Sequence, residues 1–353
     1  MTLRVGILGA AGYTGAELIR LIDLHPQLEL VWVAAKENAG QKLSQVLPFT
    51  DGVTGVGDMD VVAFHEQEAK ALATQLDVVF TALPHAASAR LGGALLDAGV
   101  QVVDLSADFR LRDLTVYQEW YGEHPRPDLI PKAVYGLVEL YREQLKGARL
   151  IAGPGCFPTS AILPLAPLFR AGLVNLSQPV IVDSKSGASG AGRKPLPNTT
   201  LAETAEGIRP YKVAGTHRHT PEMEQELSVA AGSSVKVLFT PQLAPMIRGI
   251  LSTCYVSLKP GVVLDDCYAA AHQHITGELV SILKPERLPD TLHVRGSGRA
   301  QVSYAHDQRT GLLLAMCAID NLARGASSQA IAALNVSRGL PETAGIPRLA
   351  QFP

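Results

Sequence analysis

Short apolar runs alternate with segments of helical periodicity in the first part of the chain. Leu3–Leu8 is a run of this kind, and the apolar spacing from Tyr13 to Leu24 predicts a helix that stops at His25-Pro26. The run Leu28–Ala35 completes a strand–helix–strand unit. The alternation continues through strands at Asp60–Phe64, Asp77–Leu83 and Val100–Leu105 and helices at Glu66–Gln75 and Ala86–Ala98. This order predicts an α/β fold with a Rossmann-type, doubly wound parallel sheet.

The pattern changes after a less regular stretch, residues 110–148, and a short apolar segment, Arg149–Ala152. A helix is predicted at Pro158–Arg170, and few helices separate the strand-like runs that follow, at Pro179–Asp183, Val235–Thr240, Gly249–Leu258, Thr291–Val294, Ala300–Ala305 and Leu312–Ile319. Such runs favour a mixed sheet in an α+β domain. We therefore predict a Rossmann-like domain over residues 1–153 and a second domain over residues 154–320, with a last helix at Leu322–Arg338.

Composition narrows the class of protein. A chain of 353 residues with 47% hydrophobic and 18% charged residues has enough apolar mass for two buried cores. The net charge of −2 and the lack of a long basic run argue against a nucleic-acid partner, and no apolar stretch is long enough to span a bilayer. The start of the chain lacks the apolar region of a signal peptide. Four widely spaced cysteines without a C-x-x-C pair predict reduced thiols and a cytoplasmic location.

A glycine-rich turn, Gly9–Gly15, follows the first predicted strand and opens the first helix. Glycines permit a tight turn and let a pyrophosphate approach the backbone, while the helix N-terminus offers N–H groups and a positive dipole end. The form is G-x-x-G-x-x-G rather than the strict dinucleotide fingerprint, so a ligand-free turn remains an alternative. The candidate cofactor-binding residues here are Gly9, Gly12, Tyr13, Thr14 and Gly15.

The end of the second strand bears on which nicotinamide cofactor binds. An acidic residue at this place commonly bonds the ribose 2′-hydroxyl of NAD. Here the strand ends in small residues followed by Lys36, which leaves room for a 2′-phosphate and can neutralise it, although Glu37 adds an opposing charge. We predict NADP(H) as the cofactor, with Lys36 among its contacts.

Cys156 is the candidate nucleophile. It lies in the segment Gly153–Thr159, and Pro158 is suited to the first position of a helix. The sulfur then lies at a helix N-terminus, where the dipole favours the thiolate and a backbone N–H can donate to an oxyanion. The alternative is a small buried hydrophobe, which is how we interpret the other three cysteines.

The segment His217–Glu222 is the most concentrated polar cluster in the chain. It precedes a predicted helix, with Thr220 as a plausible N-cap and Pro221 in the first turn. We interpret His217 as the acid–base partner of Cys156, because the pKa of an imidazole lies near working pH.

Two other interpretations of this cluster stay open. On extended backbone His217 and His219 would point the same way, as a metal pair with Glu222 or Glu224 would require. No third ligand has convincing spacing, so we predict no metal. A capped surface loop with solvated histidines is the other alternative. We assign His219 and its neighbour Arg218 to substrate binding.

Two further segments are candidates for binding anions. Ser184–Lys194 is dense in glycine, hydroxyls and cations, and Arg193 is its candidate substrate contact; a flexible surface loop is the alternative. Arg110 follows a strand end on the ligand side of the predicted sheet. It is a candidate for a substrate carboxylate or phosphate, and an ordinary surface arginine is the alternative.

The motifs together resemble those of the N-acetyl-γ-glutamyl-phosphate reductases, a family of the aspartate-semialdehyde dehydrogenase superfamily. The resemblance runs nearly the full chain, in order, through Gly9–Glu17, Ser106–Leu111, Ala133–Glu139, Gly153–Thr159, Ser186–Arg193, Thr216–Glu222, Arg248–Leu251, Val294–Ser297 and Asp320–Leu322.

The resemblance implies a function and several site residues. Cys156 is the expected nucleophile and His217 the acid–base residue, and the C-terminal helix, about 321–353, is expected to pack back on the first domain. It also places a group of residues near the cofactor: Gly187, Ser189, Gly190 and Asn321. The expected reaction is NADPH-dependent reduction of N-acetyl-γ-glutamyl phosphate to the semialdehyde and phosphate, through a thioester on Cys156, in arginine biosynthesis.

Alternative functions remain at this stage. They are the lysine-pathway reductase of aminoadipyl phosphate, another semialdehyde dehydrogenase of the superfamily, and a non-catalytic NADP-sensing redox regulator. The expected partners are a small acyl-phosphate substrate and further copies of the chain in a homo-oligomer, a dimer or a tetramer, because a large sheet in the second domain invites subunit pairing.

Overall fold

The computed structural model describes residues 2–195 and 197–353 and divides by its contacts into two compact units. The first unit contains Met1–Gly136, Tyr141–Pro154 and Ala326–Ile346; the second contains Leu137–Leu140, Gly155–Gly325 and Pro347–Pro353. Each unit is built on its own seven-stranded sheet, one parallel and one mixed. The predicted fold class is therefore confirmed.

The parallel sheet has the strand order β3-β2-β1-β4-β5-β7-β6. Its strands are β1 (Leu3–Leu8), β2 (Leu28–Ala34), β3 (Val61–Val62), β4 (Val78–Thr81), β5 (Gln101–Asp104), β6 (Ala133–Tyr135) and β7 (Leu150–Ala152). The helices in this part of the chain are α1 (Tyr13–Asp23), α2 (Leu43–Val46), α3 (Ala69–Leu72), α4 (Ala87–Asp97), α5 (Leu114–Tyr121) and α6 (Val138–Leu145). Strand order reverses at β1 and β4, and doubly wound sheets bind ligands beside such a reversal.

The mixed sheet has the strand order β12-β13-β14-β11-β8-β10-β9. Its strands are β8 (Val180–Ser186), β9 (Arg209–Pro210), β10 (Val237–Leu243), β11 (Ile250–Ser257), β12 (Val280–Ile282), β13 (Ala300–Asp307) and β14 (Leu312–Ile319). The helices of this unit are α7 (Cys156–Arg170), α8 (Leu201–Thr204), α9 (Thr220–Ala231) and α10 (Leu264–His274). Helix α7 is the centre of the core, because its residues from Phe157 to Phe169 are all buried and it packs on β11, β14, α9 and α10.

Three local predictions were wrong, each for a physical reason. Thr291–Val294 is a 3-10 turn over Thr291–His293 rather than a strand, because the Asp290 side chain accepts the Leu292 N–H at 2.8 Å. Strand β8 continues to Ser186, so residues 184–186 belong to the sheet and not to an anion-binding loop. Glu66–Gln75 forms a 3-10 turn followed by the single turn α3.

The last helix, α11 (Ser328–Ser337), belongs to the first unit. It follows a π-helical turn at Ala323–Ser327, and the Ser327 hydroxyl donates to the Thr14 carbonyl at 3.0 Å. Farther along, His25 Nε2 donates to the Asn335 side-chain oxygen at 3.0 Å. The remaining nitrogen of His25, Nδ1, accepts the Gln27 N–H, so the ring is held as the neutral tautomer.

The protonation of His25 should therefore oppose folding. Burial lowers the pKa of His25 below 6.5, with the Asn335 hydrogen bond a smaller opposing effect. The unfolded chain then binds more protons than the folded chain between the lowered pKa and 6.5, so stability falls as the pH falls through this window.

We expect the unfolding free energy of the wild type to decline more steeply from pH 7 to pH 5 than that of His25→Gln. The difference in slope cannot exceed about 1.4 kcal/mol per pH unit for one proton. Urea unfolding at several pH values measures it. Parallel curves for the two proteins would contradict the assignment.

Candidate functional site

Cys156 is the first residue of α7, and Gly155 is the N-cap in extended conformation. The helix begins at Cys156 rather than at Pro158, because the N–H groups of the first turn are not used by the helix and a proline at the third position costs nothing there. Cys156 is half-buried, whereas Cys254, Cys267 and Cys317 are buried in the core, as predicted. The thiol lies at the positive end of a buried, rigid helix.

Glu222 holds the start of α7 in place. Its Oε1 atom accepts the N–H of Gly155 at 2.8 Å, and its side chain is 1% exposed. Glu222 lies in the first turn of α9, so this bond ties the start of that helix to the residue before the nucleophile. The sequence showed Glu222 only as a possible metal ligand, because the helix end that it caps is distant in the chain.

Gly325 lies directly against the nucleophile. A Cβ atom added at this glycine would be 2.7 Å from the Cβ of Cys156 and 3.2 Å from its Cα. Gly325 is fixed by its own N–H, which donates to the Asp320 carbonyl, and by its neighbour Arg324, which is fully buried in an ion pair with Glu139. No sequence pattern pointed to this contact.

His217 lies in an aromatic pocket beside the start of α7. Its ring makes edge contacts with Phe157, Phe239 and Tyr211, with centroids 5.6, 5.2 and 5.7 Å away. Burial raises the pKa of Tyr211 well above its ordinary value, and the thiolate of Cys156 adds to this effect. Tyr211 is thus close to both predicted catalytic residues, although the sequence did not single it out.

The protonation state of His217 follows from its surroundings. Its Nδ1 accepts the N–H of His219 at 3.1 Å, which leaves the proton of the neutral ring on Nε2. Burial, and to a smaller extent the positive charge of Lys212, lowers the pKa of His217 to about 4. At neutral pH, His217 is a neutral imidazole that can donate from Nε2.

The other residues of the cluster differ from the extended arrangement predicted for them. His219, in helical conformation, is the N-cap of α9, with Thr220 inside the helix, so the prediction of Thr220 as N-cap was wrong by one residue. The rings of His217 and His219 are 4.9 Å apart in an edge contact. Arg218 is exposed. Among the described residues, no group of three or more His, Cys, Asp or Glu side chains could hold a metal ion.

A second cluster joins the segment after β8 to the segment before α11. Asn321 is buried, its amide nitrogen donates to the Ser189 hydroxyl at 2.9 Å, and its oxygen accepts the Gly249 N–H at 2.7 Å. Gly187 must be glycine, because a Cβ there would be 2.6 Å from the Ile247 carbonyl oxygen. Asn321 therefore positions the segment that also contains Gly190.

The loop after this segment leaves the cluster. Arg193 is exposed beyond the 3-10 turn Ala188–Ala191. The two residues Asp183 and Lys185 form an ion pair of 2.7 Å on β8 itself. The candidate anion-binding segment is thus shorter than the predicted Ser184–Lys194.

In the first unit, the glycine turn has the geometry of a phosphate cradle. Gly9 has φ +102°, and a Cβ there would be 2.4 Å from the Ala82 carbonyl oxygen. Gly15 approaches the carbonyls of Gly9 and Ala10 so closely that a Cβ would be 2.6 Å from each oxygen. Gly12 is the N-cap of α1, without a side-chain cap, and the only atom near an added Cβ is 3.8 Å away. The turn fits a dinucleotide pyrophosphate.

The remaining candidates of the first unit flank the glycine turn and β5. Lys36 is exposed just after β2, whose last residue, Ala34, accepts the N–H of Gly9. Arg110 is buried, so it is not an ordinary surface arginine. Its guanidinium donates to the carbonyls of Gly153 and Leu105 at 2.7 and 2.8 Å, which fixes the loop before Cys156.

Comparisons with known proteins cover the whole chain. A family model described as "Semialdehyde dehydrogenase, NAD binding domain" matches residues 4–148, and one described as "Semialdehyde dehydrogenase, dimerisation domain" matches residues 156–321. The chain is 44% identical over 352 residues to an N-acetyl-gamma-glutamyl-phosphate reductase of Geobacter sp. strain M21, covering 99% of this chain and 100% of that one. It is 46% identical to the protein of that name from Syntrophobacter fumaroxidans, covering 98% of each.

Solved structures share the fold at low sequence identity. Aspartate semialdehyde dehydrogenase II of Vibrio cholerae, complexed with ASA, superposes with a TM-score of 0.70 at 16% identity, covering 95% of this chain and 98% of that one. Aspartate semialdehyde dehydrogenase with NADP from Candida albicans has a TM-score of 0.68 at 16% identity, covering 98% of this chain and 100% of that one.

No helix in residues 2–195 and 197–353 has the length and apolarity that crossing a membrane requires.

We expect Gly325→Ala to displace the Cys156 sulfur and to lower both its alkylation rate by iodoacetamide and turnover about tenfold or more, since a 1 Å displacement can cost 10²-fold. Gly207→Ala is the matched control, because an added Cβ at Gly207 meets nothing within 4 Å. Thermal unfolding checks that both variants fold. Normal alkylation and turnover in folded Gly325→Ala would show that this contact does not position the thiol.

Proposed function

The chain belongs to the N-acetyl-gamma-glutamyl-phosphate reductase family, and from this premise we propose that it reduces N-acetyl-γ-glutamyl phosphate to N-acetylglutamate 5-semialdehyde and phosphate in arginine biosynthesis. It is an oxidoreductase that uses NADP(H). The similarity to reductases of this name is nearly full-length. The observation in the structure that carries the proposal is Cys156 at the start of a buried helix whose next residue, Phe157, contacts the ring of the neutral His217.

The proposed cofactor contacts form two groups of residues. The glycine turn, with Gly9, Gly12, Tyr13, Thr14 and Gly15, would hold the pyrophosphate, since its backbone leaves the N-terminus of α1 uncovered by a side-chain cap. Lys36 would pair with the 2′-phosphate. The segment that Asn321 fixes, with Gly187, Ser189 and Gly190, would contact the nicotinamide side. When bound, NADPH supplies a hydride to the acyl carbon.

The nucleophile gives the reaction a better hydride acceptor than a carboxylate. The Cys156 thiolate attacks the carbonyl carbon of the acyl phosphate, a C–S bond forms, and the C–O bond to phosphate breaks. The product on the protein is a thioester. The N–H groups of Cys156 and Phe157, at the start of α7, would donate to the oxygen that becomes negative in the tetrahedral species. After reduction, the C–S bond breaks, the aldehyde leaves and the thiolate is restored.

His217 handles the proton on the reacting oxygen. Its Nε2–H donates to the oxygen in each tetrahedral species, and the proton moves toward that oxygen and returns as the aldehyde leaves. The low pKa of about 4 keeps the ring neutral, and the Nδ1 contact with the His219 N–H holds the ring in the tautomer that donates from Nε2. The substrate contacts are assigned to Arg193, Arg218 and His219, with Arg110 acting through the loop that it fixes.

The chain also has a surface suited to a second copy. Helices α7, α9 and α10 pack on the mixed sheet. Ser252 of β11 points toward them, because its hydroxyl contacts that of Ser160 in α7. The alternate residues Leu251, Thr253 and Tyr255 point to the opposite face and are half-buried. We assign this face to homo-oligomer formation, since the family model over this region is described as a dimerisation domain.

The thiol state of the cysteines supports a location in a reducing compartment. Cys254, Cys267 and Cys317 are buried thiols without disulfide partners, and Cys156 is also free of a disulfide. A thioester mechanism needs Cys156 reduced. We therefore place the protein in the cytoplasm.

We expect Cys156→Ser to lower kcat by roughly 10³-fold or more, because an alkoxide replaces a far better nucleophile and leaving group. Reverse-direction turnover with N-acetylglutamate semialdehyde, phosphate and NADP measures it. Cys254→Ala is the control, and its kcat should match that of the wild type. Near-normal turnover by Cys156→Ser would contradict the thioester mechanism. A wild-type preference for aminoadipate semialdehyde would instead assign the enzyme to aminoadipyl phosphate.

We expect Thr253→Arg to weaken self-association, because four extra heavy atoms and a charge would be buried at the centre of the paired face. Light scattering during gel filtration should then report a lower mass than for the wild type. Val229→Arg, at an exposed position of α9, is the control and should keep the wild-type mass. Equal masses for all three proteins would place the subunit contact elsewhere.

A further inference from the structure

The loop before His217 has an uncommon backbone. Residues outside glycine rarely adopt positive φ, and among the described residues only Ala86, Lys212 and Ala214 do so. Two of these three lie within the five residues that precede His217. Lys212 has φ +46° and Ala214 has φ +56°. The concentration of strain therefore coincides with the predicted acid–base residue.

This conformation costs energy that the surroundings must supply. A non-glycine residue in the left-handed region is strained, and lysine has no short polar side chain whose local hydrogen bond could offset the strain. The Tyr211 N–H donates to the Pro241 carbonyl of β10 at 3.1 Å, which anchors the start of the loop, and within the loop the Thr216 hydroxyl donates to the Val213 carbonyl at 2.9 Å. Lys212 is thus held in a set position between two residues of the site.

The charge of Lys212 is available to a ligand. The side chain of this residue is exposed to solvent. Its charge nevertheless reaches the site, because it lowers the pKa of the buried His217. Its neighbour in sequence, Tyr211, contacts the His217 ring directly, with ring centroids 5.7 Å apart.

We propose that Lys212 is a substrate-binding residue whose ammonium group pairs with an oxyanion of the acyl-phosphate substrate. This rests on the proposed function. The substrate brings two such groups, a phosphate and a carboxylate, and a lysine binds either as a point charge. Lys212 lies five residues before His217 in the same loop, next to Tyr211, which contacts the His217 ring; the proposal is that the cation and the imidazole act on one ligand.

The test compares three substitutions of Lys212. Lys212→Gln removes the charge and keeps most of the length, Lys212→Arg keeps the charge, and Lys212→Gly removes the charge while relieving the backbone. We expect Lys212→Gln and Lys212→Gly to raise a substrate KM tenfold or more with kcat within about threefold, and Lys212→Arg to stay near the wild type, since only the first two variants lose the charged hydrogen bond. Lys259→Gln, at an exposed lysine after β11, is the matched control.

The reverse reaction separates the two oxyanions, because phosphate and the semialdehyde are then different substrates. A raised KM for phosphate assigns Lys212 to the phosphate, and a raised KM for the semialdehyde assigns it to the carboxylate. Unchanged KM values for both in Lys212→Gln would overturn the proposal.

Two measurements distinguish this role from a purely structural one. Without the Lys212 charge, the pKa of His217 should rise, so the acidic limb of the pH–rate profile should move toward neutral pH in Lys212→Gln and Lys212→Gly but not in Lys212→Arg. Thermal unfolding with added inorganic phosphate needs no turnover: phosphate should stabilise the wild type more than Lys212→Gln.

The outcomes keep the two proposals apart. A wild type without reductase activity on any acyl phosphate would defeat the proposed function, while the phosphate titration would still decide whether Lys212 binds an oxyanion. An active wild type with Lys212→Gln unchanged in KM, pH profile and phosphate response would defeat the Lys212 proposal alone.

Discussion

One hydrogen bond, from the Gly155 N–H to the buried Glu222 carboxylate, organises the reactive part of the second unit. It joins the residue before the nucleophile to the first turn of the helix that follows His217, so two segments that are distant in the chain share one anchor. Breaking it would leave the buried Gly155 N–H unsatisfied, and such a donor carries a desolvation penalty of about 1–3 kcal/mol. With Gly325 packed behind the thiol, the bond holds the nucleophile on rigid elements, as catalytic geometry requires.

The thiol, the imidazole and the nearby lysine of the site differ in charge. The thiol lies at the positive end of α7, the imidazole of His217 is kept neutral by burial, and the positive charge of Lys212 is on a strained loop before His217. A neutral imidazole can donate a hydrogen bond without competing with the helix end for the thiolate. Cations that stay exposed, such as Arg218, remain free of the desolvation cost that a buried charge would carry.

The sequence predicted what local pattern and chemistry determine. The alternation of strands and helices and the glycine turn predicted the fold, and the Gly-Pro-Gly-Cys segment predicted the nucleophile. Each of these patterns lies within a short stretch of the chain, so it is visible in the sequence. The sequence could not show that Gly325 touches Cys156 or that Glu222 caps the helix before it, since both contacts join distant segments. It also missed the turn at Thr291, where one side-chain hydrogen bond from Asp290 overrides the apolar pattern.

The account depends on acyl transfer to one sulfur, and trapping that acyl group is the most direct measurement. Enzyme mixed with N-acetyl-γ-glutamyl phosphate without NADPH, quenched in acid and digested, should show by mass spectrometry one N-acetylglutamyl group on the peptide that contains Cys156. Addition of NADPH before the quench should remove it. An unmodified Cys156 peptide under conditions where the same sample turns over with NADPH, or an acyl group on another residue, would contradict the account.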